Sequence, residues 1–370
     1  MLKNTTIPKK PKKIVRQISV FLILNSTFLI SNGQDIHFSQ FNESPLTLNP
    51  ALTAATVDMR AIINYRNQWK SVTVPYQTYA ASFEFKARLM QWAKVDPGHR
   101  TGFFTKSKKN LAFGLNFFRD KAGDAAMGTT QANLSVASHV ALDDNNTLGV
   151  GIQGGIAQRS INYAQIRWDN QYNGTSYNPA MASGETAVAS NFIYGDYSAG
   201  VQWNYGKGEM YIADNNEVKA NAGFAVYHVS QPKQSFMGDK EKLFTKFAFH
   251  GGMVFGIQGS NVLIAPTFMY LRQGPQQELN IGTMIKYKMR ENTKYTGFKQ
   301  ASTVSIGGFF RNKDAIVVVG QIELNRFAIG ASYDLNLSRL KAVTTGRGGF
   351  EITLRYFSPN PYLFQAKSRI

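Results

Sequence analysis

The sequence predicts an all-β fold, a transmembrane antiparallel β-barrel of fourteen strands. Three observations carry that prediction. Apolar and polar residues alternate with period 2 along long stretches, the signature of strands with one greasy and one wet face. Charged residues make up only 17% of the 370, below the roughly 25% typical of soluble domains, while 26 Phe, 17 Tyr and 32 Gly are present. An exported N-terminus precedes them. Lys3, Lys9, Lys10, Lys12, Lys13 and Arg16 come first, then an apolar run from Ile18 to Ile30 and small residues at Ser31-Asn32-Gly33.

That layout is a secretory signal peptide, expected at residues 1–33 and cleaved before Gln34. The apolar run is too short for a comfortable membrane helix, and Asn25, Ser26 and Thr27 interrupt it. The net charge is +18, and taking away the six charges of the leader leaves +12 on the mature chain. Residues 34–56 show no strand pattern and read as an N-terminal periplasmic or plug segment. No later segment is apolar for the length a membrane helix needs, so any crossing is by strands.

The barrel is expected over 57–357. From Gln77 to Leu89 the odd positions carry Tyr79, Ala81, Phe83, Phe85, Ala87 and Leu89 against Thr78, Ser82, Glu84, Lys86 and Arg88. Met59, Ala61, Ile63 and Tyr65 likewise oppose Arg60, Asn64 and Arg66. Phe247 and Phe249 oppose Lys246 and His250, and Leu279, Ile281, Ile285 and Tyr287 oppose Glu278, Lys286 and Lys288. Phe327, Ile329 and Tyr333 oppose Arg326 and Asp334, and Phe350, Ile352 and Leu354 oppose Glu351 and Arg355. Strands follow near 57–69, 76–89, 109–119, 128–142, 146–160, 192–205 and 218–229. The rest lie near 245–258, 261–272, 276–289, 301–311, 314–324, 325–337 and 348–357. Their number is even, and most reach the roughly 9–11 residues of a tilted membrane strand.

Short turns such as 143–146 on one rim and long stretches such as 161–191 on the other are expected, as in outer-membrane barrels. Aromatics at the ends of apolar faces should form interfacial girdles: Tyr65, Trp69, Tyr79, Tyr227, Tyr270, Tyr287, Tyr333, Tyr356 and Phe357. A soluble β-sandwich also alternates, but its strands are shorter and its outer faces carry more charge.

The wet faces place Arg60, Arg66, Glu84, Lys86, Lys246, Glu278, Lys286, Arg326, Asp334, Glu351 and Arg355 toward the lumen. Charges of both signs can pair there, and an unpaired buried charge is costly, so a packed or plugged interior is expected. Catalysis finds no support. There is no cysteine, hence no disulfide, thiolate metal site or thiol nucleophile. The five histidines, at 37, 99, 139, 228 and 250, show no ligand spacing. Gly149-Val-Gly151-Ile-Gln-Gly154 with Asp169 mimics a dinucleotide fingerprint, but it lies inside a strand pattern with no helix following. Asp143-Asp144 and Asp214–Glu217 lack calcium-loop spacing. No cofactor, no metal and no nucleic-acid patch is expected.

Four stretches carry a family resemblance. They are Gln34-Asp-Ile-His-Phe-Ser-Gln-Phe41 through Pro45-Leu-Thr-Leu-Asn-Pro-Ala51, and Tyr65-Arg-Asn-Gln-Trp69 with Pro75–Tyr79. Gly223–Phe236 and Tyr333–Ser338 with Gly346–Tyr356 complete the set. The chain resembles the PorP/SprF family of Bacteroidota outer-membrane proteins, associated with type IX secretion and gliding motility. The resemblance implies a FadL-like barrel in the outer membrane. It implies partners too: a secreted adhesin bearing a type B C-terminal targeting domain, and periplasmic, peptidoglycan-linked secretion or motility components. Outer-membrane lipid and lipopolysaccharide are the expected surroundings. The alternative function is a FadL-like channel for a small apolar solute. Gln231, Pro232, Lys233, Gln234 and Phe236, after a strand, and Arg347, before the last one, are candidate partner or plug contacts. Residues 358–370 form a C-terminal extension beyond the strand ending Tyr356-Phe357.

Overall fold

Alternation with period 2 produces strands, and here it produces fourteen of them. The structure, a computed structural model, describes residues 35–71, 74–87, 111–184, 190–207, 215, 217–236, 238, 240–290, 302–338 and 341–359. The expected signal peptide, His99 and the C-terminal extension from residue 360 onward lie outside the described residues. The strands are β1 (Val57–Gln68), β2 (Tyr76–Ala87), β3 (Leu111–Ala122), β4 (Met127–Ala141), β5 (Asn146–Ser160), β6 (Asn191–Lys207) and β7 (Val218–Tyr227). They continue with β8 (Lys246–Gly256), β9 (Val262–Gln273), β10 (Gln276–Arg290), β11 (Ser302–Arg311), β12 (Ala315–Leu324), β13 (Phe327–Asn336) and β14 (Arg347–Pro359).

Each strand pairs antiparallel with its sequence neighbours, and β1 pairs with β14, so the sheet closes into a barrel with no free edge. Closure of this kind satisfies every ladder hydrogen bond inside the wall, which a lipid environment demands. Among the described residues helix is confined to single turns such as Pro45–Leu48 and Lys341–Thr344.

The pleat sorts side chains by parity. Ile193, Ile306 and Ile329 stand on the outward face at 68%, 63% and 59% exposure. Their strand neighbours turn inward and are polar: Asn64, Arg66, Gln202, Asn280 and Glu351 are buried. An apolar exterior around a polar interior is the arrangement of a membrane barrel and the inverse of a soluble one.

Call the end holding Val57 and Pro359 the near rim, since these two residues pair in the β1–β14 ladder. The expected division into a short-turn rim and a long-loop rim is not found. The far rim carries 161–190 and 228–245 but also the two-residue turn 274–275, while at the near rim β2 ends at Ala87 and β3 begins only at Leu111, yet 325–326 alone separate β12 from β13. Long connections here alternate with short ones at both ends, so loop length does not tell the rims apart.

Most girdle aromatics face outward as expected, with the Tyr65 and Tyr79 rings tilted against each other at 5.0 Å between β1 and β2. Tyr227 and Phe357 do not. Tyr227 is buried inside and donates to the Leu46 carbonyl at 3.3 Å, and Phe357 packs inward beside Ala54, Val57 and Ala112. Their odd positions fall on the lumen parity of β7 and β14. Because the outward wall is apolar, Ile306→Lys in the middle of β11 should destabilise the folded barrel by about 2–4 kcal/mol. Denaturant titration in bilayers measures this, and a cost near zero would deny that this wall meets lipid.

Candidate functional site: a plugged lumen and its rim loops

Residues 36–56 have no strand alternation because they are not part of the wall. They run down inside the barrel from the far rim to the near one. Ile36 and Phe38 pack against Ala80 and Phe118 toward the far rim. Ala54 reaches Glu84 and Val57 begins β1 at the near rim. Two prolines and three single helical turns compress the segment, with Pro45 and Pro50 opening two of those turns. Asn49 caps the last of them, its Oδ1 accepting from Ala51 N at 2.8 Å.

Four sets of contacts hold the segment. The first lies near the far rim. Arg66 donates to Ser39 Oγ at 2.8 Å, to Glu351 at 3.1 Å and to Asp334 at 3.1 Å. Arg311 donates to Asp334 at 2.5 Å and to Ser39 Oγ at 3.3 Å. The Ser39 hydroxyl, having one proton, gives it to Asp334 at 2.8 Å and accepts from the two guanidinium groups. Glu351 takes the backbone N–H of Ser39 at 2.9 Å and of Gln40 at 3.1 Å, one on each carboxylate oxygen. All four charged side chains are buried. Charge-assisted bonds of this kind are short and strong, and each satisfies a group that would be costly alone.

The second set is centred on Glu43, whose Oε1 accepts from Arg355 at 2.6 Å and Gln321 at 2.8 Å, while Arg355 also reaches Glu323 at 2.7 Å. Asn64 of β1 donates to the Glu43 carbonyl at 3.2 Å and to Thr353 of β14 at 3.0 Å. The third is Asn49, whose amide nitrogen donates to the Val201 carbonyl at 2.9 Å and lies 3.0 Å from His250 Nε2. The last is at the near rim: Ala54 N donates to Glu84 at 2.7 Å, Glu84 pairs with Arg60, and His139 Nε2 meets the Thr53 carbonyl at 2.8 Å.

Apolar packing completes the seal. Phe41 and Leu48 form one cluster with Met269, Phe309, Val317 and Val319, with Phe41 edge-on to Phe309 at 5.9 Å. Glycine makes the room. A Cβ on Gly151 would lie 2.5 Å from Ala51 N, and one on Gly200 would lie 2.1 Å from Asn49 Oδ1. Of the run that mimics a nucleotide fingerprint, Gly149 and Gly151 are therefore the face of β5 against which the segment lies, while Gly154 faces outward beside Tyr197.

The sequence-derived residues divide. Arg60, Arg66, Glu84, Lys86, Lys246, Glu278, Lys286, Asp334, Glu351 and Arg355 sit at inward positions, and Lys246 covers the Tyr227 ring at 4.6 Å. Arg326 does not. It occupies the two-residue turn after β12 and is exposed, because β13 begins only at Phe327 and not at 325 as the alternation suggests.

Gln231, Pro232, Lys233, Gln234 and Phe236 lie in a far-rim loop rather than in the lumen, so the plug is residues 36–56 and not this motif. Gln234 N donates to the Glu241 carbonyl at 2.8 Å and Leu243 N to the Pro232 carbonyl at 2.9 Å, making a small ladder. Phe236 stacks edge-on to Phe192 at 4.9 Å, and Gln231 donates to Thr245 at 3.2 Å. Arg347 opens β14 at the far rim, exposed, after Gly346 turns the chain at φ +80°. Ser39, Gln40, Glu43, Asn49 and Arg311 hold the plug, and period-2 reading did not single them out. Ser39, Gln40, Glu43 and Asn49 belong to the polar, proline-bearing stretch 34–51, and Arg311 ends the expected strand 301–311 on its lumen parity.

Outside the strands two acids titrate below their ordinary range. Backbone and side-chain donors from Asn145 and Asn146 hold Asp143 down, as in an Asx turn. At Glu217 burial pushes upward, but Lys219 and Lys288 outweigh it. No group of metal-ligand type is assembled among the described residues.

A family model for type IX secretion system membrane proteins, PorP/SprF, matches residues 30–356. The chain belongs to the PorP/SprF family. It is a family of secretion-system membrane barrels and not of enzymes. No curated protein matches the chain by sequence. Among solved structures it is similar to a Pseudomonas aeruginosa FadL homologue, with 11% identity, 84% of this chain and 92% of that one covered, and a TM-score of 0.40. The toluene transporter TodX of P. putida aligns with 8% identity, 84% and 92% coverage and a TM-score of 0.40. The KdgM porin aligns with 6% identity, 80% and 98% coverage and a TM-score of 0.32.

Two variants test how the PorP/SprF barrel holds its plug. Arg66→Met removes the cation shared by Ser39, Asp334 and Glu351 and should cost about 3–5 kcal/mol in thermal or denaturant unfolding. Adding Glu351→Gln should recover part of that loss, and equal loss in both would show that charge is not the cause. Gly151→Val should displace the segment while the wall persists. Limited proteolysis would then cut between residues 36 and 56, where the wild-type chain resists.

Proposed function

We propose that this PorP/SprF barrel sits in the outer membrane and binds and anchors, or helps export, a secreted cell-surface adhesin through its type B C-terminal targeting domain. One observation favours this reading over transport: residues 36–56 fill the lumen along its length and are held there by buried charges. A barrel plugged by a polar segment offers its rims and its wall to partners rather than a continuous apolar path to a solute. The family's place in type IX secretion supports the same reading. Periplasmic, peptidoglycan-linked components of the secretion or motility machinery are the second class of partner that the family membership favours.

The test is deletion of this gene alone in a strain that displays the adhesin. Adhesin should leave the cell surface and appear in the medium, and the wild-type gene should restore it. Affinity purification from native membranes should recover the adhesin's C-terminal domain with the barrel. Undiminished display in the deletion strain, together with solute-dependent conductance of the purified protein in planar bilayers, would sink the anchor in favour of a channel.

A further inference from the structure

The two rims differ in one respect that loop length does not reveal. Among the described strand side chains, three charged groups stand on the outward wall: Arg119 and Lys121 of β3, and Arg272 of β9. All three are cations, all are exposed, and all lie within the last four residues of strands that end at the far rim. Every other described strand charge falls on the lumen parity or at a strand terminus.

A charge on this wall is tolerated only where it meets headgroups, so the far-rim ends of β3 and β9 stand at a membrane interface. Below them the wall is apolar, with Leu115 and Phe117 beneath Arg119 on the same face. Across the ladder Tyr79 pairs with Arg119 and Gln77 with Lys121, so the two cations sit beside a girdle tyrosine. Positions two apart on one strand face are separated by about 6.6 Å. That spacing lets a guanidinium fork and an ammonium converge on one phosphate.

We infer that the outward face of Arg119 and Lys121, with Arg272 as a second station, binds the phosphate groups of lipid A, and that the far rim therefore faces the cell surface. The inference rests on the outer-membrane placement proposed above, and names the leaflet. Lipid A is chosen because its phosphates are dense and lie at the interface where the three cations and the aromatic belt coincide. It places loops 161–190 and 228–245 outside the cell.

The purified full chain in nanodiscs tests the lipid claim, read by native mass spectrometry of retained lipid. Wild type should retain bis-phosphorylated lipid A at least about tenfold better than R119Q/K121Q. Dephosphorylated lipid A should be lost equally from both. Equal retention of phosphorylated lipid A by both proteins would overturn the site. Retention of phosphatidylglycerol as strong as that of lipid A would overturn the assignment to lipid A. Heat-modified migration on gels confirms that the variant barrel is folded.

Orientation is read separately, and the absence of cysteine from the chain makes it clean. Ser176→Cys, in the far-rim loop 161–190, should react with a membrane-impermeant maleimide on intact cells. Reaction only after lysis would overturn the outward far rim. Neither readout depends on an adhesin, so failure here is distinguishable from failure of the anchor model.

Discussion

The buried carboxylates of Glu351 and Asp334 are the constraint on which the rest of this structure depends. Both face the lumen at the far rim, where neither can be left unpaired without large cost. Arg66 and Arg311 supply the positive charge, and the backbone of Ser39 and Gln40 supplies N–H groups that fit between. The plug is thus part of the solution to an electrostatic problem set by the wall. A charged lumen and a polar segment each need the other to be dry.

The same contacts gather at the place where the barrel closes. Arg66 stands on β1, Glu351 on β14 and Asp334 on β13, and Asn64 of β1 and Thr353 of β14 meet beside Glu43. First and last strands are joined by their ladder and, from within, by the segment that precedes them in sequence. Sealing and barrel closure therefore share residues. This coupling explains why the interior carries so many charges in a chain whose overall charge content is low.

The strand pattern was legible because a membrane wall repeats one physical demand at every second residue. Leu279, Ile281 and Ile285 face out for the same reason as Ile352 and Leu354, and the boundaries followed within a few residues. Legibility ended where the strands stop or where residue type and pleat disagree. Arg326 sits in a turn, Tyr227 and Phe357 follow the lumen parity of their strands despite being girdle-type aromatics, and the rim loops do not sort by length. The plug contacts were harder still. Ser39 meets partners 295 and 312 positions away, and no local period encodes such a pairing.

Alternation and composition determined by themselves that this chain forms an even-stranded barrel with a greasy wall and a charged interior. Each is a local property, since side-chain parity depends on neighbouring residues and on the solvent each face meets. Tertiary structure alone decided what fills the interior. Residues 36–56 are held by groups drawn from most of the fourteen strands, and those groups become neighbours only when β14 returns to β1. Which lumen charges pair, and which glycines yield space, follow from that closure.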